Sequence, residues 1–164
     1  PRSTLFPYTT LFRSMTKDAN GQSKISAFRD SGIKPGSPEF WEQVQLGNVS
    51  GCIRPGRFKL DTERGFWVFT EQSFDEDAII IDKCQVKEVA LLDKERKPVV
   101  TVSFKAPAVG IWSPYGKHAP FVCIEPWYGI HDKAYYQGDF KEKQYMNHLQ
   151  PGASFMSEYT IEVR

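Results

Sequence analysis

One acidic residue, Glu125, stands in the run FVCIEPWYGIHD directly after four apolar residues and directly before a proline and a tryptophan. In an extended strand Phe121, Cys123 and Glu125 share one face while Val122 and Ile124 occupy the other, so both faces look covered. A carboxylate at the end of such a strand has to be ion-paired, hydrogen-bonded or functional, because burying an unpaired charge is costly. The plain alternative is that Glu125 pairs with an arginine or caps backbone amides, and the strand pattern alone favours this alternative.

The residues that follow Glu125 suit a polar ligand with an apolar ring face. Trp127 and Tyr128 are amphipathic aromatics of the kind that stack on sugar rings, and His131 and Asp132 add hydrogen-bonding groups a few positions later. Two aromatics after a strand also serve core packing, which remains the alternative. The aromatics and the flanking acids together support a functional role for Glu125.

The sequence contains no motif for metal or cofactor chemistry. His118, His131 and His148 are too far apart for a local metal site, and no HExxH motif accompanies them. The three cysteines lack a CxxC pair, which argues against both a disulfide framework and a zinc site. No glycine-rich phosphate loop, dinucleotide fingerprint or GxSxG elbow is present. We therefore expect no metal and no cofactor.

Size and charge narrow the class of protein further. The chain has 164 residues, of which 40% are hydrophobic and 14% aromatic, and this suits one globular domain. A formal charge of +1 creates no field that would attract nucleic acid or an anionic membrane. No apolar stretch approaches the roughly 20 residues that a membrane-spanning helix needs, and the start lacks the pattern of an export signal. We expect a cytoplasmic protein whose ligand is a small neutral molecule.

The elements that position Glu125 are predicted to be β-strands. From Gly51 onward apolar and polar residues alternate in short runs that are typical of strands with one wet face. Short strands at this spacing indicate an all-β antiparallel sandwich, which we assign to residues 51–164. The predicted strands cover residues 66–70, 78–82, 85–92, 100–105, 121–125 and 155–163.

The N-terminal part is predicted to contribute little to function. Residues 15–36 are polar and without periodicity, which favours a loop or a disordered tail. Ser37, Pro38 and Glu39 have the pattern of a helix start and Gly47 that of a helix stop. We therefore expect a polar segment over residues 15–50 that contains one short helix.

The first fourteen residues, PRSTLFPYTTLFRS, resemble a translated sequencing adapter of the common short-read kind, without a mismatch. We treat residues 1–14 as an adapter-derived artefact and set them aside from fold prediction. A reading frame joined to adapter comes from a gene assembled from fragments. We therefore expect the natural chain to extend upstream.

Three blocks of sequence carry a resemblance to a known family. They are FDEDAII at residues 74–80, VGIWSPYGKHAPFVCIEPWYGIHD at residues 109–132, and LQPGASFMSEYTIEV at residues 149–163. In this order they resemble the aldose 1-epimerase family, specifically its LacX-type bacterial branch. The resemblance runs from about Arg57 to Val163. It implies the C-terminal half of a galactose mutarotase-like antiparallel β-supersandwich, whose concave face holds a hexose.

The resemblance also implies an isomerase and assigns roles to residues. Mutarotation opens the sugar ring, turns the aldehyde and recloses the ring, so it needs a base and an acid. Glu125 matches the family's glutamate base, and an apolar strand beside Trp127 would desolvate the carboxylate and strengthen it as a base. Asp77 matches an acid that binds sugar hydroxyls, although a turn acid before a strand is an equally good interpretation. Trp127 and His131 complete the predicted substrate-binding set.

The acid partner of Glu125 is not found at its family position. The family's acid histidine lies well upstream of the block that contains Asp77, and no histidine precedes Asp77 in this chain. We expect that this chain by itself does not catalyse mutarotation. The alternative function is a non-catalytic carbohydrate-binding β-sandwich, which needs no acid and base pair.

Overall fold

The computed structural model of the chain describes the backbone of residues 10–13 and 40–44, and residues 52–63, 65–93, 95–114 and 121–164. Nine strands lie in these ranges, together with two short 3₁₀ turns at Glu71–Phe74 and Phe140–Glu142. The strands are β1 (Thr10–Arg13), β2 (Phe40–Val44), β3 (Phe58–Asp61), β4 (Ile79–Ile81), β5 (Glu88–Leu92), β6 (Pro98–Phe104), β7 (Ala108–Trp112), β8 (Phe121–Trp127) and β9 (Tyr159–Val163).

The strands form two sheets in which every described ladder is antiparallel. The six-stranded sheet has the order β1-β8-β7-β4-β2-β3, and the three-stranded sheet has the order β5-β6-β9. The prediction of an all-β antiparallel sandwich is therefore confirmed. Within the described ranges, no helix has the length and apolar character that crossing a membrane requires.

The main core lies between the two sheets. It receives Val122 and Ile124 from β8 and Ile79 from β4, and the facing side chains include Val102 and Leu91 from the smaller sheet. Each fully buried aliphatic side chain contributes roughly 1.5–3 kcal/mol through removal of apolar surface from water. A second, smaller cluster lies on the other face of the six-stranded sheet and is formed by Ile53, Ala78, Ile80, Ala108 and Trp127.

The predicted short helix between Ser37 and Gly47 is wrong, because the backbone of Phe40–Val44 forms β2. Gln43 lies opposite Phe58 of β3 on one side and opposite Ile81 of β4 on the other. A capping signal contributes only about 1 kcal/mol, and two ladders of backbone hydrogen bonds outweigh it. The other residues of the predicted polar segment before Phe40 lie outside the described residues.

The segment set aside as adapter-derived contributes β1. Its residues Thr10–Arg13 pair with Phe121–Ile124 of β8. An open sheet edge presents unpaired backbone groups to any extended segment, so alternating hydroxyl and apolar residues can pair there whatever their origin. The exclusion of residues 1–14 from the fold prediction therefore missed one strand of the larger sheet.

The strand predictions differ from the structure at three further places. Residues 67–70 pair with no strand in the described part of the chain, and Phe66 makes only an isolated bridge with Glu63. The rings of Trp67 and Phe69 are nevertheless buried and pack on Phe74, so their alternation reflects core contact without a ladder. Conversely, β3 (Phe58–Asp61) and β7 (Ala108–Trp112) were not among the predicted strands.

The core-facing side of β9 extends beyond the cover of the larger sheet. Ile161 lies opposite the buried Val102, and Val163 lies opposite the buried Val100, so all four side chains share one face. Ile161 is nevertheless 41% exposed and Val163 71% exposed. In the part of the chain that is described, the well-covered core therefore ends at β6.

Replacing Ile124 by alanine should lower the free energy of unfolding by about 2–5 kcal/mol, because the cavity lies in the closely packed core. Ile161→Ala removes the same atoms from a half-covered site and should cost less than half as much. Urea denaturation followed by tryptophan fluorescence measures both values. Equal losses for the two variants would contradict this placement of the core.

Candidate functional site

The face of the six-stranded sheet that points away from the main core carries Glu125. In the β7–β8 ladder, Trp127 lies opposite Ala108, Glu125 opposite Gly110, and Cys123 opposite Trp112. Directly opposed residues project to the same side of an antiparallel pair. We call the surface formed by these six residues the site face. The sequence-based assignment of Cys123 and Glu125 to one face, with Val122 and Ile124 on the other, agrees with this arrangement.

The carboxylate of Glu125 is oriented by Trp127. The two residues are separated by two positions of an extended strand, so their side chains leave β8 on the same side. The indole Nε1–H of Trp127 donates a hydrogen bond of 3.1 Å to Oε2 of Glu125. Hydrogen bonds to an ionised acceptor are stronger than those between neutral groups. The half-buried carboxylate is therefore held at a defined position on the site face.

Trp127 is buried rather than displayed. It is 6% exposed, and its ring lies so close to Gly110 that a Cβ at that position would come within 2.6 Å of Cζ2. The ring centre of His131 lies 5.3 Å from that of Trp127. Glycine at position 110 thus makes room for the indole. The contact that the structure shows for the Trp127 indole is its hydrogen bond to Glu125, which orients the carboxylate. The role of Trp127 in binding substrate stays a prediction.

The more accessible aromatic on the site face is Trp112, which the sequence analysis did not select. It is half-buried, lies opposite Cys123 and packs against the smaller apolar cluster. The signal that could have identified Trp112 is the run VGIW, in which Gly110 and Trp112 are two positions apart and therefore share one face of a strand. Recognising it would have required β7 to be predicted as a strand.

His131 lies in the loop after β8, which we define as residues 128–134 and call the His131 loop. Burial lowers the pKa of His131 below its ordinary value of 6.5. The carboxylates of Asp77 and Asp132 act in the opposite direction, and Lys143 acts in the same direction as burial. Burial has the largest effect on the pKa of His131, so the neutral imidazole is favoured. This form can both donate and accept a hydrogen bond.

Asp77 is placed at the start of β4 in a left-handed backbone conformation with φ of 75°. Its Oδ1 accepts a hydrogen bond of 2.7 Å from the backbone N–H of Ala78. Aspartate tolerates this conformation better than most residues because its short side chain can bond locally. Its carboxylate is solvent-exposed, lines a cleft of about 170 Å³ with Gln72 and Ser73, and acts electrostatically on His131.

The four predicted site residues are thus linked in space. Glu125 is hydrogen-bonded to Trp127, and the ring of Trp127 contacts that of His131. The carboxylate of Asp77 acts electrostatically on His131 and favours its protonated form. Lys143, which the sequence analysis did not select, forms an ion pair of 2.8 Å with Asp132 beside His131. No local sequence signal identifies Lys143, because it lies eleven positions from its partner.

Cysteine chemistry is disfavoured on the site face. Cys123 is fully buried, and burial followed by the nearby charge of Glu125 raises its pKa from 9.0 to about 12. The thiol therefore stays protonated and is a poor nucleophile. Among the described residues, no three His, Cys, Asp or Glu side chains are grouped as a metal site requires. The carboxylate of Glu125 and the imidazole of His131 are two groups here whose chemistry allows proton transfer.

Two solved structures resemble this chain. The galactose mutarotase related enzyme from Lactobacillus acidophilus superposes with a TM-score of 0.76 and 28% identity, over 95% of this chain and 50% of that one. A galactose mutarotase-like protein from Lactobacillus casei superposes with a TM-score of 0.69 and 20% identity, over 93% and 50% of the respective chains. The chain therefore spans about half the length of each.

The fold is accordingly that of the galactose mutarotase-like β-sandwiches. The likeness to galactose mutarotase-related proteins supports the same superfamily for this chain. No protein-family model matches the sequence, and no curated protein is significantly similar to it.

Gly110→Ala should displace the indole of Trp127, because the added Cβ has no room beside the ring. We expect a loss of about 1–3 kcal/mol in the free energy of unfolding and a shift of the Trp127 indole N–H resonance. Trp127→Phe removes the ring atoms that the Cβ would meet, so it is the matched background. In that background Gly110→Ala should cost clearly less, and additive losses in the double-mutant cycle would contradict the contact.

Stability should depend on pH through His131. Because its folded-state pKa is lowered, the unfolded chain binds a proton below pH 6.5 that the native state resists. The contribution of the neutral imidazole is fully present above pH 6.5 and decreases as the pH falls towards the folded-state pKa. Urea unfolding at several pH values should show a weaker acid sensitivity for His131→Gln than for the unsubstituted chain. His148→Gln makes the same chemical change at an exposed position and serves as the matched control.

Proposed function

We propose that this chain carries the base-bearing part of an aldose 1-epimerase site and that Glu125 is the general base for a hexose. The observation that carries the proposal is the half-buried Glu125 carboxylate on the site face, fixed by the indole N–H of Trp127 at 3.1 Å. The galactose mutarotase-like fold supports it, since a solved relative of this fold is described as a galactose mutarotase related enzyme. We further propose the LacX-type branch and a matched unit of residues 51–164.

The chemistry requires a proton to leave one oxygen of the sugar and another to arrive. Glu125 takes the proton from the C1 hydroxyl, the bond between C1 and the ring oxygen breaks, and the ring oxygen is protonated. The open-chain aldehyde turns about the C1–C2 bond, and the reverse steps close the ring on the opposite face. A positioned base of this kind contributes about 10²–10⁴-fold to the rate.

The remaining residues are assigned to orientation. Asp77 is exposed and electrostatically coupled to His131, so the two can hydrogen-bond sugar hydroxyls on one side of the site. Trp127 keeps Glu125 in place, and Trp112 offers an aromatic surface next to it on the site face. We propose these contacts to substrate from the position and the chemistry of each side chain. A single substitution at each residue removes one contact at a time.

The acid that protonates the ring oxygen is proposed to come from outside the 164 residues. No histidine precedes Asp77, whereas the family pattern places its acid histidine there. His131 stays assigned to binding, because its position after β8 does not match that pattern. We therefore propose that the isolated chain binds a hexose but does not accelerate anomerisation.

A carbohydrate-binding sandwich without catalysis is the second candidate. It is favoured by the absence of a histidine upstream of Asp77, because binding needs no acid partner for Glu125. Both functions use the same face and the same aromatics. They differ only in whether a Glu125-dependent rate exists once the acid is supplied.

The decisive experiment joins the whole chain, which includes β2 between β3 and β4, to the half of the Lactobacillus acidophilus enzyme that this chain does not match. Polarimetry on fresh α-D-glucose and α-D-galactose should show anomerisation, and Glu125→Gln should lower kcat/KM by about 10²–10⁴-fold. Sugar binding followed by NMR titration should persist, because glutamine keeps an acceptor for the Trp127 indole. Glu158→Gln makes the same chemical change at a 78% exposed side chain and should have no effect.

The outcomes separate the two functions. Binding without any Glu125-dependent rate in the joined protein would identify the binding module and contradict the enzyme. Absence of both binding and rate would remove both candidates. Glu125-dependent turnover by the 164-residue chain alone would show that the proposed requirement for an outside acid is wrong.

A further inference from the structure

We propose that Asp82 is a positioning residue for the candidate site, which anchors the two segments that hold the His131 loop in place. The inference deepens the proposed function and rests on it for its meaning, since it concerns how the site is assembled. The contacts that anchor the two segments to Asp82 lie among described residues, and their effect on the His131 loop can be measured without any sugar.

Asp82 is a buried carboxylate directly after β4. Its side chain is 1% exposed, and two positions earlier Ile80 belongs to the smaller apolar cluster on the site-face side. A carboxylate at such a position is costly unless it is paired and fully hydrogen-bonded. Asp82 receives an ion pair from Arg57 and hydrogen bonds from Tyr145 at 3.1 Å and from Gln144 at 3.5 Å. These partners come from two segments that are far from Asp82 in sequence.

The first anchored segment contains Arg57 and runs back to Ile53. Ile53 pairs in parallel with the His131 loop, donating its N–H to the carbonyl of Asp132 at 2.7 Å. Its own carbonyl accepts from the N–H of Ala134 at 2.9 Å. The Arg57–Asp82 pair thus ties to the sheet a segment that fixes the backbone on both sides of Lys133.

The second anchored segment contains Gln144 and Tyr145. The Tyr145 hydroxyl donates to Asp82 and accepts from the backbone N–H of Lys83 at 3.0 Å. Tyr145 has a left-handed backbone with φ of 60°, so the chain turns sharply where the contact is made. Two positions earlier, Lys143 reaches Asp132 with an ion pair of 2.8 Å.

Both segments therefore converge on Asp132, the neighbour of His131. In the first segment, the N–H of Ile53 donates a hydrogen bond to the backbone carbonyl of Asp132. In the second segment, Lys143 forms an ion pair with the Asp132 carboxylate. His131 in turn contacts the Trp127 ring that orients Glu125. Because Asp82 is almost completely buried, it acts through these neighbours and does not contact substrate. A buried, multiply bonded carboxylate suits this role, since releasing it would leave an unpaired charge in the interior.

The test measures local opening of the His131 loop in Asp82→Asn by amide hydrogen exchange. The amides of Ile53 and Ala134 should exchange about tenfold faster or more, as expected when hydrogen bonds to a buried charge are lost. The amide of Val102 in the main core should not accelerate in proportion. A purely structural role would instead accelerate all three amides together through lower global stability, and that result would overturn the proposal.

The double variant Gln144→Ala, Tyr145→Phe tests the second segment, because it removes both hydrogen bonds of that segment to Asp82 and retains the Arg57–Asp82 pair. Freed from its anchor, Lys143 should move away from Asp132, and the pKa of His131, measured by NMR titration, should rise. The groups that face His131 and remain are Asp77 and Asp132, which both act in this upward direction. Tyr135→Phe removes a hydroxyl from an 84% exposed side chain and serves as the matched control.

An unchanged pKa of His131 in the double variant Gln144→Ala, Tyr145→Phe would overturn the proposal, as would an equal rise in Tyr135→Phe. Neither measurement uses a sugar or a rate. Failure of the proposed function therefore leaves these results interpretable, and failure of the anchoring proposal leaves the polarimetry interpretable.

Discussion

Antiparallel pairing of β7 with β8 places Glu125 opposite Gly110, and this register decides which side chains meet on the site face. A shift of one residue would turn Glu125 towards the main core and Ile124 towards the site, because side chains alternate along a strand. Burial of Val122 and Ile124 between the sheets opposes such a shift. Gly110 then allows the indole of Trp127 to lie against the backbone of β7. The position of the Glu125 carboxylate thus follows from apolar burial on the other side of the same strand.

Two carboxylates in or directly after strands of the larger sheet, those of Asp82 and Glu125, differ in their burial and in their described partners. Asp82 is closed off and saturated by Arg57, Tyr145 and Gln144, which suits an anchor. Glu125 is only half-buried, and the indole N–H of Trp127 donates a hydrogen bond to its carboxylate. The deep burial of Asp82 suits the proposed anchoring role, and the partial exposure of Glu125 suits the proposed role as a base.

The two halves of the sandwich differ in completeness. The six-stranded sheet covers β5 and β6, whereas Ile161 and Val163 of β9 keep a large part of their surface in water on the core side. The chain spans half the length of both Lactobacillus structures that it resembles. β1 occupies one edge of β8, which shows how readily an open edge beside the site accepts an extended segment. The core side of β9 is therefore incompletely covered by the part of the chain that is described.

By itself the sequence determined the class of fold and the face on which Glu125 lies. Alternation of apolar and polar residues is a local property, so it predicted β6, β8 and β9 and separated Glu125 from Val122 and Ile124 correctly. The family blocks selected Asp77, and the chemistry of the residues after Glu125 selected Trp127 and His131. The structure brings these residues into one linked group. Local signals failed where distant pairing decided the outcome. The helix pattern before Gly47 was overruled by two neighbouring strands.

Only the tertiary structure showed how the site is held. The indole bond to Glu125, the space that Gly110 leaves and the anchoring by Asp82 join residues that are separated by up to 63 positions. Such contacts depend on register, on turns and on which faces are buried, and none of these has a short-range signature in the chain. Glu125 could be selected as the candidate base from its neighbours in sequence, but its orientation depends on its neighbours in space.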